Sequence, residues 1–136
     1  MAAYPIPEQD AGYVHVLREK FGHKEFRKGQ LEAIKIILEE RKNALVVLAT
    51  GAGKSLCYQF CSQFVPGLVL VVTPLISLMS DQLQKLPEFI PGAALNSQQQ
   101  FSTKQAVIAA VQRKQIKVLF ITPERLFIED LSKFGR

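Results

Sequence analysis

The stretch Leu45-Val46-Val47-Leu48-Ala49-Thr50-Gly51-Ala52-Gly53-Lys54-Ser55 decides how the rest of the chain is read. An apolar, β-branched run gives way to small residues and ends in Gly-Lys-Ser, the pattern of a buried strand, a phosphate-binding loop and the first turn of a helix. Glycines let several backbone N–H groups curl around phosphate oxygens, and the helix N-terminus behind them adds its partial positive charge. In such a loop the lysine reaches the outer phosphates and the hydroxyl holds magnesium. The candidate cofactor-binding loop is therefore Thr50, Gly51, Ala52, Gly53, Lys54 and Ser55, with Lys54 as its catalytic cation and Ser55 as the metal ligand. The strict pattern G-x-x-x-x-G-K-[ST] places glycine where this chain has Leu48, so the motif is the shorter Thr50-Gly51-x-Gly53-Lys54-Ser55 form.

Composition bounds the class. With 136 residues, 48% hydrophobic and 21% charged, the chain is one domain's worth of globular sequence. No apolar run approaches the roughly 20 residues of a membrane-spanning helix, and the N-terminus lacks the charged-then-apolar order of a signal peptide. An intracellular protein with no membrane partner is expected. Cys57 and Cys61 sit four apart on the expected helix after the loop, with His15 and His23 far upstream, so buried thiols are expected rather than a metal or redox pair. The net charge is +5, and it is uneven: from Arg41 to Pro123 eight cations (Arg41, Lys42, Lys54, Lys85, Lys104, Arg113, Lys114, Lys117) face only Asp81 and Glu88. That excess suits a polyanion, although solvated lysines on a basic domain account for it nearly as well.

Residues 1–9 carry Pro5 and Pro7 and read as a flexible lead-in, and residues 10–136 as the folded part. Asp10 is the expected cap of a helix with Val14, Leu17 and Phe21 on one stripe, ended by Gly22. A second helix is expected from Arg27 to Glu40, with Leu31, Ile34, Ile37 and Leu38 on one face. After the loop helix (54–64), Pro66-Gly67 turn the chain into Leu68-Val69-Leu70-Val71-Val72, a run continuous enough for a strand buried on both faces. Thr73-Pro74 stops that strand, and a helix follows from Leu75 to Leu86. A short strand at 93–95 leads through Asn96-Ser97 into a helix signalled by Ser102 and Gln105, the spacing of a capping box. Val118-Leu119-Phe120-Ile121 is the last strand, closed by Thr122-Pro123-Glu124-Arg125. Strands alternating with helices predict an α/β fold: a three-layer parallel sheet with helices on both faces and the phosphate loop at a strand's carboxyl end. In such sheets ligands gather at the carboxyl ends, where Thr50–Ser55, Thr73–Ser77, Asn96-Ser97 and Thr122–Arg125 all fall.

In their order and spacing these segments resemble the first motor lobe of the RecQ family, superfamily 2 DNA helicases. Phe21-Gly22-His23-Lys24-Glu25-Phe26-Arg27-Lys28-Gly29-Gln30 is similar to that family's adenine-recognition segment, and Thr50 to Gln59 to its phosphate loop. Thr73 to Gln82, Leu95-Asn96-Ser97 and Thr122 to Leu126 are similar to its DNA-side segments. The resemblance implies a RecA-like lobe that binds ATP and Mg2+, acting on single-stranded or partly duplex DNA in recombination and repair and moving 3′ to 5′. It also implies a nuclear location in a eukaryote, or the cytoplasm and nucleoid of a bacterium. It makes His23, Arg27 and Gln30 cofactor-binding residues, because an amide such as Gln30 can donate to and accept from the adenine edge. Outside that context Gln30 reads as a solvated helix residue. Thr73, Pro74, Ser77, Asn96, Ser97, Thr122, Pro123 and Arg125 become nucleic-acid-binding positions, mostly short polar groups suited to backbone phosphates.

The family's Pro-Thr-Gly-Gly-Gly-Lys-Ser is Ala49-Thr50-Gly51-Ala52-Gly53-Lys54-Ser55 here, and its Asp-Glu-x-His motif does not occur before Arg136. That motif supplies a magnesium carboxylate and the glutamate that orients water. The expectation is therefore an ATP-binding piece of a helicase that does not turn over ATP alone, the other reading being a short product that binds nucleotide or DNA without chemistry. An unpaired strand edge in such a piece predicts aggregation or partial molten character.

Overall fold

The computed structural model describes residues 3–39, 45–47 and 54–128. They fall into two compact units, a helical one (3–39 and 54–66) and one built on a sheet (45–47 and 67–128).

In the helical unit, α1 (Asp10–Val16) runs straight into a π-helical turn, Leu17–Phe21, which ends on Gly22 at φ 72°. That left-handed conformation costs glycine nothing and explains the stop. α2 spans Gln30–Glu39 and α3 spans Lys54–Cys61. Two expectations are corrected. Asp10 is not the cap: Gln9 holds that position without a side-chain bond, while the Asp10 carboxylate accepts from Lys35 Nζ at 2.9 Å and ties α1 to α2. α2 also begins at Gln30 instead of Arg27, because Gly29 at φ 87° cannot be helical. The core is aromatic. Phe60 of α3 is fully buried and lies 5.6 Å from Phe21, 5.2 Å from Phe26 and 5.1 Å from Phe64, centroid to centroid. Tyr13, Val16, Leu17, Ile34, Leu38 and Cys61 close around it, whereas Val14 of the expected stripe is only half-buried. The segment before α1 joins this packing: Tyr4 N donates to Gln63 O at 2.8 Å, and Ile6 lies against the cluster.

The sheet unit has four parallel strands, β1 (Leu45–Val47), β2 (Val69–Val72), β3 (Gly92–Leu95) and β4 (Val118–Ile121), in the order β1-β2-β4-β3. Helices α4 (Ile76–Gln84), α5 (Phe101–Gln112) and α6 (Pro123–Ile128) connect and extend them. Alternation along the strands assigns the two faces. Leu70, Val72, Ala93, Leu95, Leu119 and Ile121 pack with Val107, Ile108 and Val111 of α5. On the other face Val69, Val71, Val118 and Phe120 are fully buried. A Cβ on Gly92, which shares that second face, would run into the side chains of Leu83 in the last turn of α4 and Leu86 just beyond it. So α4 and α5 cover opposite faces, as the continuous apolar strands require.

Three local expectations change here. α4 starts at Ile76 and ends at Gln84, short of Leu86. α5 starts at Phe101, with Gln100 supplying the extended N-cap backbone at φ −66°, ψ 152°. Ser102 is already helical, so the Ser102–Gln105 box does not form. Lys117, counted above among cations for a polyanion, is buried at the amino edge of the sheet. Its Nζ donates to Gly67 O at 2.7 Å, and burial lowers its pKa.

Candidate nucleotide and nucleic-acid sites

Thr50, Gly51, Ala52 and Gly53 lie outside the described residues, and Lys54 is described only as the first residue of α3. Ser55 is half-buried in the first turn, where no acidic side chain opposes an anion. The adenine-recognition candidates are organised from the same helix. Phe21 and Phe26 clamp their segment onto Phe60, six residues after Lys54 along α3. Between those anchors the chain is exposed and carries His23, with Arg27 exposed just beyond. Gln30 is not a solvated helix residue: it is only 9% exposed, and its Oε1 accepts from the Arg27 backbone N–H at 2.7 Å while its backbone N–H donates to Arg27 O at 3.0 Å. The first of these bonds holds the side-chain amide by its oxygen. Arg18 adds a further brace from the π-helical turn, Nε donating to Lys24 O at 2.9 Å. Neither Phe60 nor Arg18 is marked by any motif, since their roles follow from packing across the unit.

The thiols behave as buried side chains. Cys61 belongs to the aromatic cluster and burial pushes its pKa up to about 12; desolvation raises that of half-buried Cys57 as well. Tyr58, fully buried beside them, is likewise pushed up to about 12 by desolvation.

In the sheet unit the nucleic-acid candidates form one row. Val72 pairs with Ile121 and Ile121 with Leu95, so Thr73, Thr122 and Asn96 leave three neighbouring strands at one level. Their backbones continue the ladder, Thr73 N–H to Ile121 O at 3.1 Å and Thr122 N–H to Leu95 O at 3.3 Å. All three side chains are interior. Thr73 Oγ1 accepts from Leu75 N–H at 3.3 Å, and Asn96 Oδ1 accepts from Gln98 N–H at 3.0 Å. Asn96 Nδ2 lies 3.7 Å from Met79 Sδ. Thr122 Oγ1 finds no hydrogen-bond partner among the described residues. The groups that reach solvent come next along the chain: Pro74 and Ser77 after β2, Ser97 after β3, and the half-buried Pro123 and Arg125 after β4. Gln99, which no motif singled out, braces the β3 exit by accepting from Asn96 N–H at 3.0 Å and donating to Ala94 O at 2.9 Å.

Charge follows a different map from the count in the sequence. Lys85 pairs with Asp81 at 3.0 Å, Lys117 is interior, and Arg113 and Lys114 follow α5 toward the amino edge of β4. Of the cations near the row, Lys104 donates to Ser97 O at 3.3 Å and Arg125 follows β4.

The DEAD/DEAH box helicase family model matches residues 27–134. The chain is 46% identical over 126 residues to ATP-dependent DNA helicase Q-like 5 of Arabidopsis thaliana, covering 92% of this chain and 14% of that protein. Over 112 residues it is 46% identical to ATP-dependent DNA helicase RecQ of Haemophilus influenzae, 82% of this chain and 18% of the relative. The mouse bifunctional 3'-5' exonuclease/ATP-dependent helicase WRN is 38% identical over 120 residues, 88% of this chain and 8% of that one. A crystal structure of the DUF1998 helicase MrfA superposes with a TM-score of 0.56 on 95% of this chain and 22% of its own, at 17% identity, a likeness of fold alone. The chain thus spans less than a fifth of the length of the three DNA helicases it matches by sequence. With the family match running from Arg27 through β4 and beyond, this chain belongs to the DEAD/DEAH box helicases, in their RecQ branch, and corresponds to a stretch of the helicase lobe.

Proposed function

We propose that this chain is the ATP-binding part of an ATP-dependent 3′–5′ DNA helicase that couples ATP hydrolysis to unwinding in recombination and repair. The observation that carries this reading is the buried, pre-oriented amide of Gln30, anchored through Phe21 and Phe26 to the helix that begins at Lys54. An amide held in one orientation presents a set donor and acceptor to a base edge, which selects adenine over guanine. His23 and Arg27 offer flat groups to stack on the base. Lys54 would hold the outer phosphates and Ser55 the magnesium, which neutralises charge on the transferred phosphoryl group. On the sheet unit, Ser77, Ser97, Arg125 and the backbone of the exits serve as phosphate contacts. Thr73, Asn96 and Thr122 shape those exits from inside, and Pro74 and Pro123 set their direction.

The test is Lys54→Ala in the complete protein. DNA-stimulated ATPase falls by about 10²- to 10³-fold, the worth of one preorganised charge at the reacting group, while affinity for a 3′-tailed duplex is retained. Undiminished turnover would overturn the assignment of the loop.

A further inference from the structure

Resting on the reading of the β2, β4 and β3 exits as a DNA-side row, we propose that Phe101 is a stacking platform for one base of a single strand at the β3 end of that row. Phe101 opens α5 and is 76% exposed, so it contributes nothing to the core. The loop that presents it is braced by Asn96 and Gln99 through three hydrogen bonds of 2.9 to 3.0 Å, which hold the ring at little entropic cost to binding. Its surroundings are polar, with Ser97, Gln98, Gln100, Ser102 and Thr103 all exposed and Lys104 reaching back to Ser97 O. No Asp or Glu occurs from Phe89 to Pro123. A protein partner would be met by further apolar side chains around the ring. An exposed aromatic flanked along the chain by hydroxyls, amides and a cation, in a stretch without acidic residues, is instead the chemistry of single-strand binding, where any base stacks and small polar groups follow the backbone. Neighbouring strands lie about 4.8 Å apart, so Phe101 extends a row of polar exits about 10 Å long.

The chain contains no tryptophan, so Phe101→Trp installs a single fluorophore at the platform. Oligo(dT) is expected to quench its emission while binding as tightly as to the unsubstituted chain. Phe101→Leu, which keeps apolar bulk and loses the π-face, is expected to weaken oligo(dT) binding by about 5- to 150-fold, the range of one base–aromatic stack. An abasic strand of equal length should not distinguish the two. If F101L binds oligo(dT) like the unsubstituted chain and F101W emission does not respond, the stack is refuted while the DNA-side reading stands. If F101L lowers Tm and leaves affinity unchanged, Phe101 is a packing residue and the proposal fails. If the unsubstituted chain binds no oligo(dT) at low salt, the DNA-side reading falls and the stack with it.

Discussion

The helical unit is held together by rings and the sheet unit by branched aliphatics. In the first, Tyr13, Phe21, Phe26, Phe60 and Phe64 meet at tilted or edge-on angles around one side chain. In the second, valines, leucines and isoleucines stack in register on both faces of parallel strands. Three helices and an irregular segment leave an uneven space, which large flat side chains fill and clamp at once. A pleated sheet offers an even surface that β-branched residues fit. The consequence is that residues 22–29, which form no helix or strand, are held by the ring contacts of Phe21 and Phe26, whereas the row of strand exits is fixed by strand register.

Phe60→Ala probes that contrast most strongly. Losing the shared ring should cost about 3–5 kcal/mol, as for other large-to-small core changes, and release residues 21–30 before the sheet. Hydrogen exchange over residues 21–30 and 69–72 measures the two separately. Equal loss of protection in both would mean that the aromatic cluster does not hold the segment by itself.

Alkaline pH should separate the units next. Cys61 and Tyr58 hold their protons to about 12 in the folded helical unit against ordinary values of 9.0 and 10.0. The unfolded chain therefore binds fewer protons in those windows, and stability falls as pH rises from about 9 toward 12. Lys117 has the opposite sign. Its folded pKa lies below the ordinary 10.5, so the unfolded chain binds more protons there and stability rises as pH climbs toward 10.5. Chemical denaturation across that range should show a flatter early fall for Cys61→Ala and a missing rise for Lys117→Met. Unchanged profiles would count against the burial of both groups.

Gln30→Ala should weaken ATP binding to the complete protein by about 1–3 kcal/mol, the cost of a lost buried hydrogen bond. It should narrow the preference for ATP over GTP and leave DNA affinity alone. A matching loss of DNA affinity would count against the proposal that nucleotide and DNA contacts lie on separate units. Arg125→Gln is the smallest change expected: single-strand binding weakens about equally for all sequences, and the slope of log affinity against log salt falls by about one. A slope that does not move removes Arg125 from the phosphate contacts.

Much of this was legible in the sequence because the signals are local. Val69–Val72 and Val118–Ile121 are β-branched or apolar without interruption, and Gly22 follows an apolar stripe. The burial of Cys61 could be read from its place on the helix after the phosphate loop. What was missed depends on neighbours far away in the chain. Lys117 looks like any surface cation until Gly67, fifty residues upstream, supplies its acceptor. Ser102 and Gln105 have capping-box spacing, but the bracing of the β3 exit by Gln99 accompanies an earlier start to α5. Gln30 resembles a solvated helix residue until Gly29 sets the start of α2 beside Arg27.

By itself, then, the sequence determined that strands alternate with helices, that the sheet is parallel and covered on both faces, and that Gly-Lys-Ser follows a strand. Periodicity and residue type act over a few positions and need no partner to be read. Only the tertiary structure decided that β4 inserts between β2 and β3, bringing Thr73, Thr122 and Asn96 to one level. Strand order and register come from hydrogen bonds between segments tens of residues apart, and no local pattern encodes which strand pairs with which.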